Sequence, residues 1–200
     1  MKPTDSFHKP AYNLISKARV MKRFSIVALF CFLSVPFFAQ TYTPNDGKSK
    51  VKFVIRNFGI NTAGTFEGLQ GTINFDPGNP TMASFEVSVD ASTVDTDIEA
   101  RDNHLRRAEY FDVKAFPKII FKSTRITKTN KENYLYMFGT ITIKGVVKEL
   151  KFPFKATPKD GGFLFEGEFN LNRRDFGVGG RSLSLSDELN VELSVFAKKN

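Results

Sequence analysis

The residues of this chain that could do chemistry are few, and most sit between positions 93 and 121, TVDTDIEARDNHLRRAEYFDVKAFPKIIF. His104 is the only histidine after residue 40. A serine-histidine-acid hydrolase would have to use it, and no G-x-S-x-G occurs anywhere. A structural hydrogen bond is therefore the expectation for His104. Asp95-Thr96-Asp97-Ile98-Glu99 alternates carboxylates as a calcium loop does. Its sixth position is Ala100 rather than glycine, however, and its twelfth is Arg106 rather than glutamate. One histidine and no downstream cysteine leave no zinc set. Gly177-Val178-Gly179-Gly180 lacks the Gly-Lys-Ser/Thr of a phosphate loop and reads as a flexible end loop. Two Arg/Asp pairs remain, Arg101-Asp102 and Arg173/Asp175. They suit either of two roles: an ion-pair network clamping a helix to the rest of the fold, or a polar rim holding a phosphate or other head group.

The elements that must position these residues follow from periodicity. Thr96-Asp97-Ile98-Glu99 has the form of a capping box and predicts a short helix over about 97–109. On that helix Ile98, Leu105 and Ala108 share a stripe with Arg101. The rest of the chain alternates with period two. Phe85, Val87, Val89 and Ala91 oppose Glu86, Ser88 and Asp90, while Phe163, Phe165, Phe169 and Leu171 oppose Glu166, Glu168 and Asn170. Turn signals at Asp76-Pro77-Gly78, Lys144-Gly145 and Asp160-Gly161-Gly162 separate the runs. Eight strands result, near 50–56, 65–75, 83–92, 117–126, 134–144, 146–157, 162–172 and 189–198, with the helix between strands 3 and 4. Eight antiparallel strands with polar outer faces predict an all-β, lipocalin-like closed barrel, which leaves no exposed edges. Of the 22 phenylalanines, 16 lie after residue 40, mostly on the apolar faces. By periodicity alone such a face is an ordinary dry core before it is an apolar tunnel.

Charge argues against nucleic acid as a partner. The net charge is +8, but residues 41–200 hold 23 Lys/Arg and 20 Asp/Glu, a balance of +3. Those charges alternate along strands instead of forming the basic face that displaces counterions from phosphates. The excess sits in the first forty residues. There Met21-Lys22-Arg23 precedes the apolar run 24–35, a basic and then an apolar region of signal-peptide length, too short to span a membrane. The expected division is an upstream start-site extension over 1–20, a signal peptide over 21–40 cut after Ala39 or Gln40, and one domain over 41–200. An uncleaved anchor is the alternative. Cys31, the sole cysteine, lies in the apolar run, so the exported domain would rely on its core rather than on disulfides.

Four segments in order resemble the YceI-like family of exported polyisoprenoid-binding proteins. They are Gly64-Thr65-Phe66 with Gly71-Thr72-Ile73-Asn74-Phe75-Asp76; Arg101 to Leu105 with Tyr110-Phe111-Asp112 and Phe116-Pro117-Lys118; Gly139 to Lys148; and Phe169 to Gly177. Together they span about residues 48–197. Asn57, Arg107 and Tyr110 depart from the family's usual residues and bear on the ligand's head group more than on the fold. The resemblance implies a barrel whose apolar tunnel holds a long-chain isoprenoid or other apolar lipid, without a cofactor and without catalysis. Tunnel candidates are Phe53, Phe66, Phe85, Val87, Val89, Leu105, Phe111, Phe121, Phe152, Phe163, Phe165 and Phe169. Arg101, Asp102, His104, Arg173 and Asp175 are candidates for the head group or rim. A transient membrane contact and a homodimer are further expectations. The rival readings are a lipocalin-like enzyme acting on an apolar substrate and a dry-core β-sandwich assembly module.

Overall fold

Period-two alternation builds this protein because each strand turns one face to a phenylalanine-rich interior and the other to water. The computed structural model describes residues 40–200, so the expected extension, the signal peptide and Cys31 lie outside the described residues. Among the described residues ten strands form: β1 Thr41–Pro44, β2 Lys50–Asn57, β3 Ile60–Phe66, β4 Gln70–Asn74, β5 Ser84–Asp90, β6 Lys118–Lys128, β7 Leu135–Ile143, β8 Val146–Lys159, β9 Gly162–Asn172 and β10 Leu185–Lys199. All pairings are antiparallel, in the order β1-β4-β5-β6-β7-β8-β9-β10-β2-β3. A further pairing of β1 with the end of β10, Tyr42 opposite Lys199, closes eight strands into a barrel. The first half of β10 instead pairs with β2, which carries β3.

The count of eight is thus right for the closed ring, but the chain uses ten strands to make it. The expected strand 65–75 is broken at 67–69, and a matching break at 45–49 separates β1 from β2. One residue joins the breaks. Asn45 caps a 3-10 turn over Asp46–Lys48, and the Asp46 carboxylate accepts hydrogen bonds from the amides of Gly68 and Leu69 at 3.0 and 2.8 Å. Beyond the break, Gly71 lies so close to β5 that a Cβ there would stand 2.1 Å from the Glu86 carbonyl oxygen. The Lys144-Gly145 turn is a tight hairpin as expected, with positive φ of 50° and 74° at its two residues.

The helix, α1 Glu99–Leu105, follows β5 and precedes β6, the strands expected at 83–92 and 117–126; they are fifth and sixth in the chain, not third and fourth, because β1 and the break at 67–69 add two strands before them. It is also shorter than expected, because Thr96 does not cap it. Ile98 occupies the cap position without a side-chain hydrogen bond, and the Thr96 hydroxyl and amide both donate to Asp102 instead. Nor does the expected stripe pack: Ile98 and Ala108 are exposed and Leu105 is half-buried.

Register divides the barrel into two halves. Away from α1, Tyr42, Phe75, Phe85, Phe154, Phe163 and Phe165 are buried and meet mostly edge to face, with centroids 5.0–5.4 Å apart for Phe75–Phe163, Phe75–Phe165, Phe85–Phe165 and Tyr42–Phe163. Such pairs add to the free energy of area burial. This far half is the more closely packed of the two. The strand ends carrying residues 57, 90, 118, 143, 146, 172 and 185 form the opposite end, the mouth, where α1 sits.

Candidate ligand cavity

Nearer the mouth the interior is open. A cavity of about 160 Å³ lies there, and its wall is apolar except for Ser88 and Arg173. Of the tunnel candidates, Phe66, Val87, Val89, Phe111, Phe121, Phe152 and Phe169 line it. A second cavity of about 60 Å³ adjoins it on the far side, walled by Phe85, Phe165, Met137 and Phe154 among others. Val87, Phe121, Phe152, Leu193 and Val195 border both, so the rings of Phe121 and Phe152, 5.9 Å apart, stand as a partition. Three candidates fall outside either wall. Phe163 belongs to the far half. Phe53 lies against Phe66 with centroids 5.6 Å apart. Leu105 sits in the cover, and its carbonyl accepts from the Phe111 amide. The larger wall also uses Val51, Ile119, Ile141, Leu171, Val191 and Leu193, whose inward positions the alternation of β2, β6, β7, β9 and β10 made readable.

The cover over the mouth is assembled from three loops. Residues 95–116 join the barrel through paired bonds between Thr65 and Asp95, 2.8 and 3.1 Å. Arg106 fastens α1 by donating to the carbonyls of Ser92 at 2.6 Å and Val94 at 2.8 Å and to Asn103. Phe111 hangs from this segment into the cavity, edge-on to Phe66 at 5.4 Å. The second loop follows a 3-10 turn over Arg173–Phe176 and is tied to the first by a 2.8 Å bond from the Gly179 amide to the Glu109 carbonyl. Lys144, from the third, donates to the Gly177 carbonyl at 2.9 Å.

The four Arg/Asp candidates do not form one network. Arg101 donates from Nε and Nη2 to the hydroxyl and carbonyl of Thr96, at 2.7 and 2.6 Å, and Asp102 is buried beneath it as the acceptor of Thr96. Arg173, 4% exposed, pairs with Asp187 at 2.7 Å and not with Asp175, which is exposed. Its remaining bonds go to the carbonyls of Ser186, Val178 and Gly180 at 2.9–3.0 Å. Arg173 therefore staples the 178–187 loop, and the glycine-bearing stretch expected to be a flexible loop is held at three points. His104 is exposed, with its ring 4.8 Å from that of Tyr110, and does not line the cavity. Arg106 and Asp187 were not singled out from the sequence, since neither lies in a motif that marks it.

The two displaced titrations also lie away from the cavity wall. Burial raises the Tyr42 phenol, and the neighbouring ammonium of Lys155 holds the Tyr134 phenol below the usual tyrosine range. Among the described residues no three His, Cys, Asp or Glu side chains gather as a metal set.

Over the described residues the class of the molecule is an all-β closed barrel of eight antiparallel strands with one helix and an apolar inner cavity. Residues 42–197 match the YceI-like domain, and the chain belongs to that family. The Protein YceI of Salmonella arizonae is 33% identical over 154 residues, which cover 72% of this chain and 78% of that protein. Among solved structures, Burkholderia cenocepacia BcnA superposes with a TM-score of 0.74 at 23% identity, over 78% of this chain and 99% of that one. A polyisoprenoid-binding domain from Saccharophagus degradans, implicated in plant cell wall breakdown, superposes with a TM-score of 0.65 at 11% identity, over 80% and 99%. At those identities the likeness is one of fold.

Proposed function

We propose that this protein is an exported binding protein that holds a long-chain isoprenoid or similar apolar lipid inside the barrel, for carriage or sequestration, and that it is not an enzyme. The observation that carries this reading is the cavity wall, which is apolar apart from Ser88 and an arginine whose bonds are already made within the protein. Such a wall gains from burying methylenes, about 0.8 kcal/mol each, and offers no free acid or base. A dry apolar cavity of roughly 150 Å³ is large enough to hold benzene and stays empty of water. The mouth cavity is of that size, so a longer chain enters by turning the Phe121 and Phe152 rings and joining the two cavities. Membership of the YceI-like family and the polyisoprenoid-binding domain that shares its fold support the same ligand class.

Mass spectrometry of an organic extract from natively purified protein tests the reading. A co-purifying long-chain lipid is expected. Clean extracts, with no uptake of polyprenol added from solvent, would overturn it. Export rests on the basic and apolar run from Met21. N-terminal sequencing of protein recovered outside the cytoplasm should begin near Gln40 or Thr41, and a start at Met1 or Met21 would count against it.

A further inference from the structure

Seven large apolar side chains are exposed among the described residues, and six of them stand at the mouth: Phe58, Ile60, Ile98, Val146, Val147 and Leu183. Only Met82, in the turn between β4 and β5, is at the far end. Chance exposure of single apolar residues would scatter them over both ends. Two of the six are side by side. Phe58 is 79% exposed at the tip of the β2–β3 hairpin, and its amide donates to the Ser184 carbonyl at 2.8 Å, next to the fully exposed Leu183. Phe58 and Gly59 both have positive φ, 50° and 77°. That turn favours asparagine or glycine, so a bulky ring there is strained and gains nothing by packing.

Charge completes the patch. Arg56 and Arg181 flank the two apolar tips and are exposed. The groove between the tips is lined by Arg56, Gly59, Leu183 and Asp187, and the Asp187 carboxylate is engaged by Arg173. The loop bearing Leu183 is the one that Arg173 staples, and Arg173 lines the cavity. Patch and cavity are therefore linked through one side chain, Arg173. We propose that the mouth end docks on an anionic lipid bilayer, Phe58 and Leu183 entering the interface and Arg56 and Arg181 meeting phosphates. The inference rests on the proposed lipid cargo, which has no aqueous phase to be collected from. Separate protruding tips beside cations suit a fluid, anionic surface better than the flat, contiguous core of a protein interface.

The strand pairing and the core lie within residues 40–200, where the Gln40 carbonyl accepts from the Phe75 amide, so that segment is the protein to test, free of the leader's own apolar run. Flotation with phosphatidylcholine–phosphatidylglycerol vesicles is the assay. The wild-type segment should float with the vesicles. Phe58→Ser with Leu183→Ser should weaken binding at least about tenfold, and Arg56→Gln or Arg181→Gln about fivefold each. Met82→Ser should leave it unchanged, and all variants should keep the thermal midpoint. The inference is overturned if the wild-type segment ignores vesicles, if the Met82 variant loses as much as the double variant, or if the double variant alters only self-association by light scattering. Uptake of polyprenol delivered from solvent separates the two readings. A protein that takes lipid from solvent yet ignores vesicles loses the docking surface and keeps the carrier function. One that floats but takes no lipid by either route keeps the surface and loses the carrier function.

Discussion

Arg173 shows how a charged residue can look like a ligand group in sequence and be a structural one in space. Its guanidinium makes four bonds, three to backbone carbonyls and one to Asp187, while buried beside the cavity. Arg173→Met keeps the stem and strands those partners without donors. Because unsatisfied buried acceptors are costly, a loss of about 2–4 kcal/mol is expected, seen as a lower urea midpoint. Asp175→Asn, an exposed change, should stay within about 0.5 kcal/mol of the parent. Equal effects of the two would mean that Arg173 and Asp175 act as a pair after all. The motif places both residues in the chain, but only the fold reveals that the partner is fourteen residues further on.

Among the elements, the broken strand pair governs how the barrel closes. Asp46 holds the break at 67–69 against the break at 45–49 through two amide bonds, and without them β1 and β4 would have less to hold them in line with β2 and β3. Asp46 is exposed, so solvent screens its contribution. Asp46→Ala should cost about 1 kcal/mol, and hydrogen exchange should quicken first at Gly68 and Leu69. Protection unchanged at those two amides would argue that the strand ends, not Asp46, hold the corner. This corner was hard to read from sequence because Gly71 to Asp76 and Gly64 to Phe66 each alternate well, and one continuous strand satisfies both runs. The break at 45–49 is fixed by register: Pro44 lies opposite Ala197 and Lys50 opposite Ser194, so the chain between them is longer than the stretch of β10 it passes and must leave the ladder.

For the whole molecule, the division into a packed half and an open half decides what a mutation does. Phe165 is one of the tunnel candidates that the alternation places inward. It is 5% exposed and meets Phe75 at 5.3 Å and Phe85 at 5.1 Å. Phe165→Asp should therefore unfold the barrel, at a cost of about 3–5 kcal/mol. Phe169 lies two rungs nearer the mouth on the same face, is half-buried and lines the larger cavity. Phe169→Asp should keep a cooperative melt and lose polyprenol uptake. Circular dichroism melts and lipid loading of the two variants check this, and a Phe169→Asp protein that is unfolded would make the mouth half a core like the other.

What the sequence by itself determined is the set of inward faces. A period of two assigns Phe85, Phe121, Phe152, Phe165 and Phe169 to one side of their strands whatever the sheet does next, because successive side chains must point to opposite faces. The tight Lys144-Gly145 turn and the apolar character of the interior follow from the same local rules. Only the tertiary structure decided which inward residues are packed and which line space. That depends on the registers joining β1 to β4 and β10 and on rings from distant segments, such as Phe75 against Phe163 and Phe66 against Phe111, which no local pattern brings together. The same holds for the short helix. Thr96 and Glu99 have the spacing of a cap, yet Asp102 and Arg101 take the threonine first, because burial beneath the cover makes that hydrogen-bonded cluster the better partner.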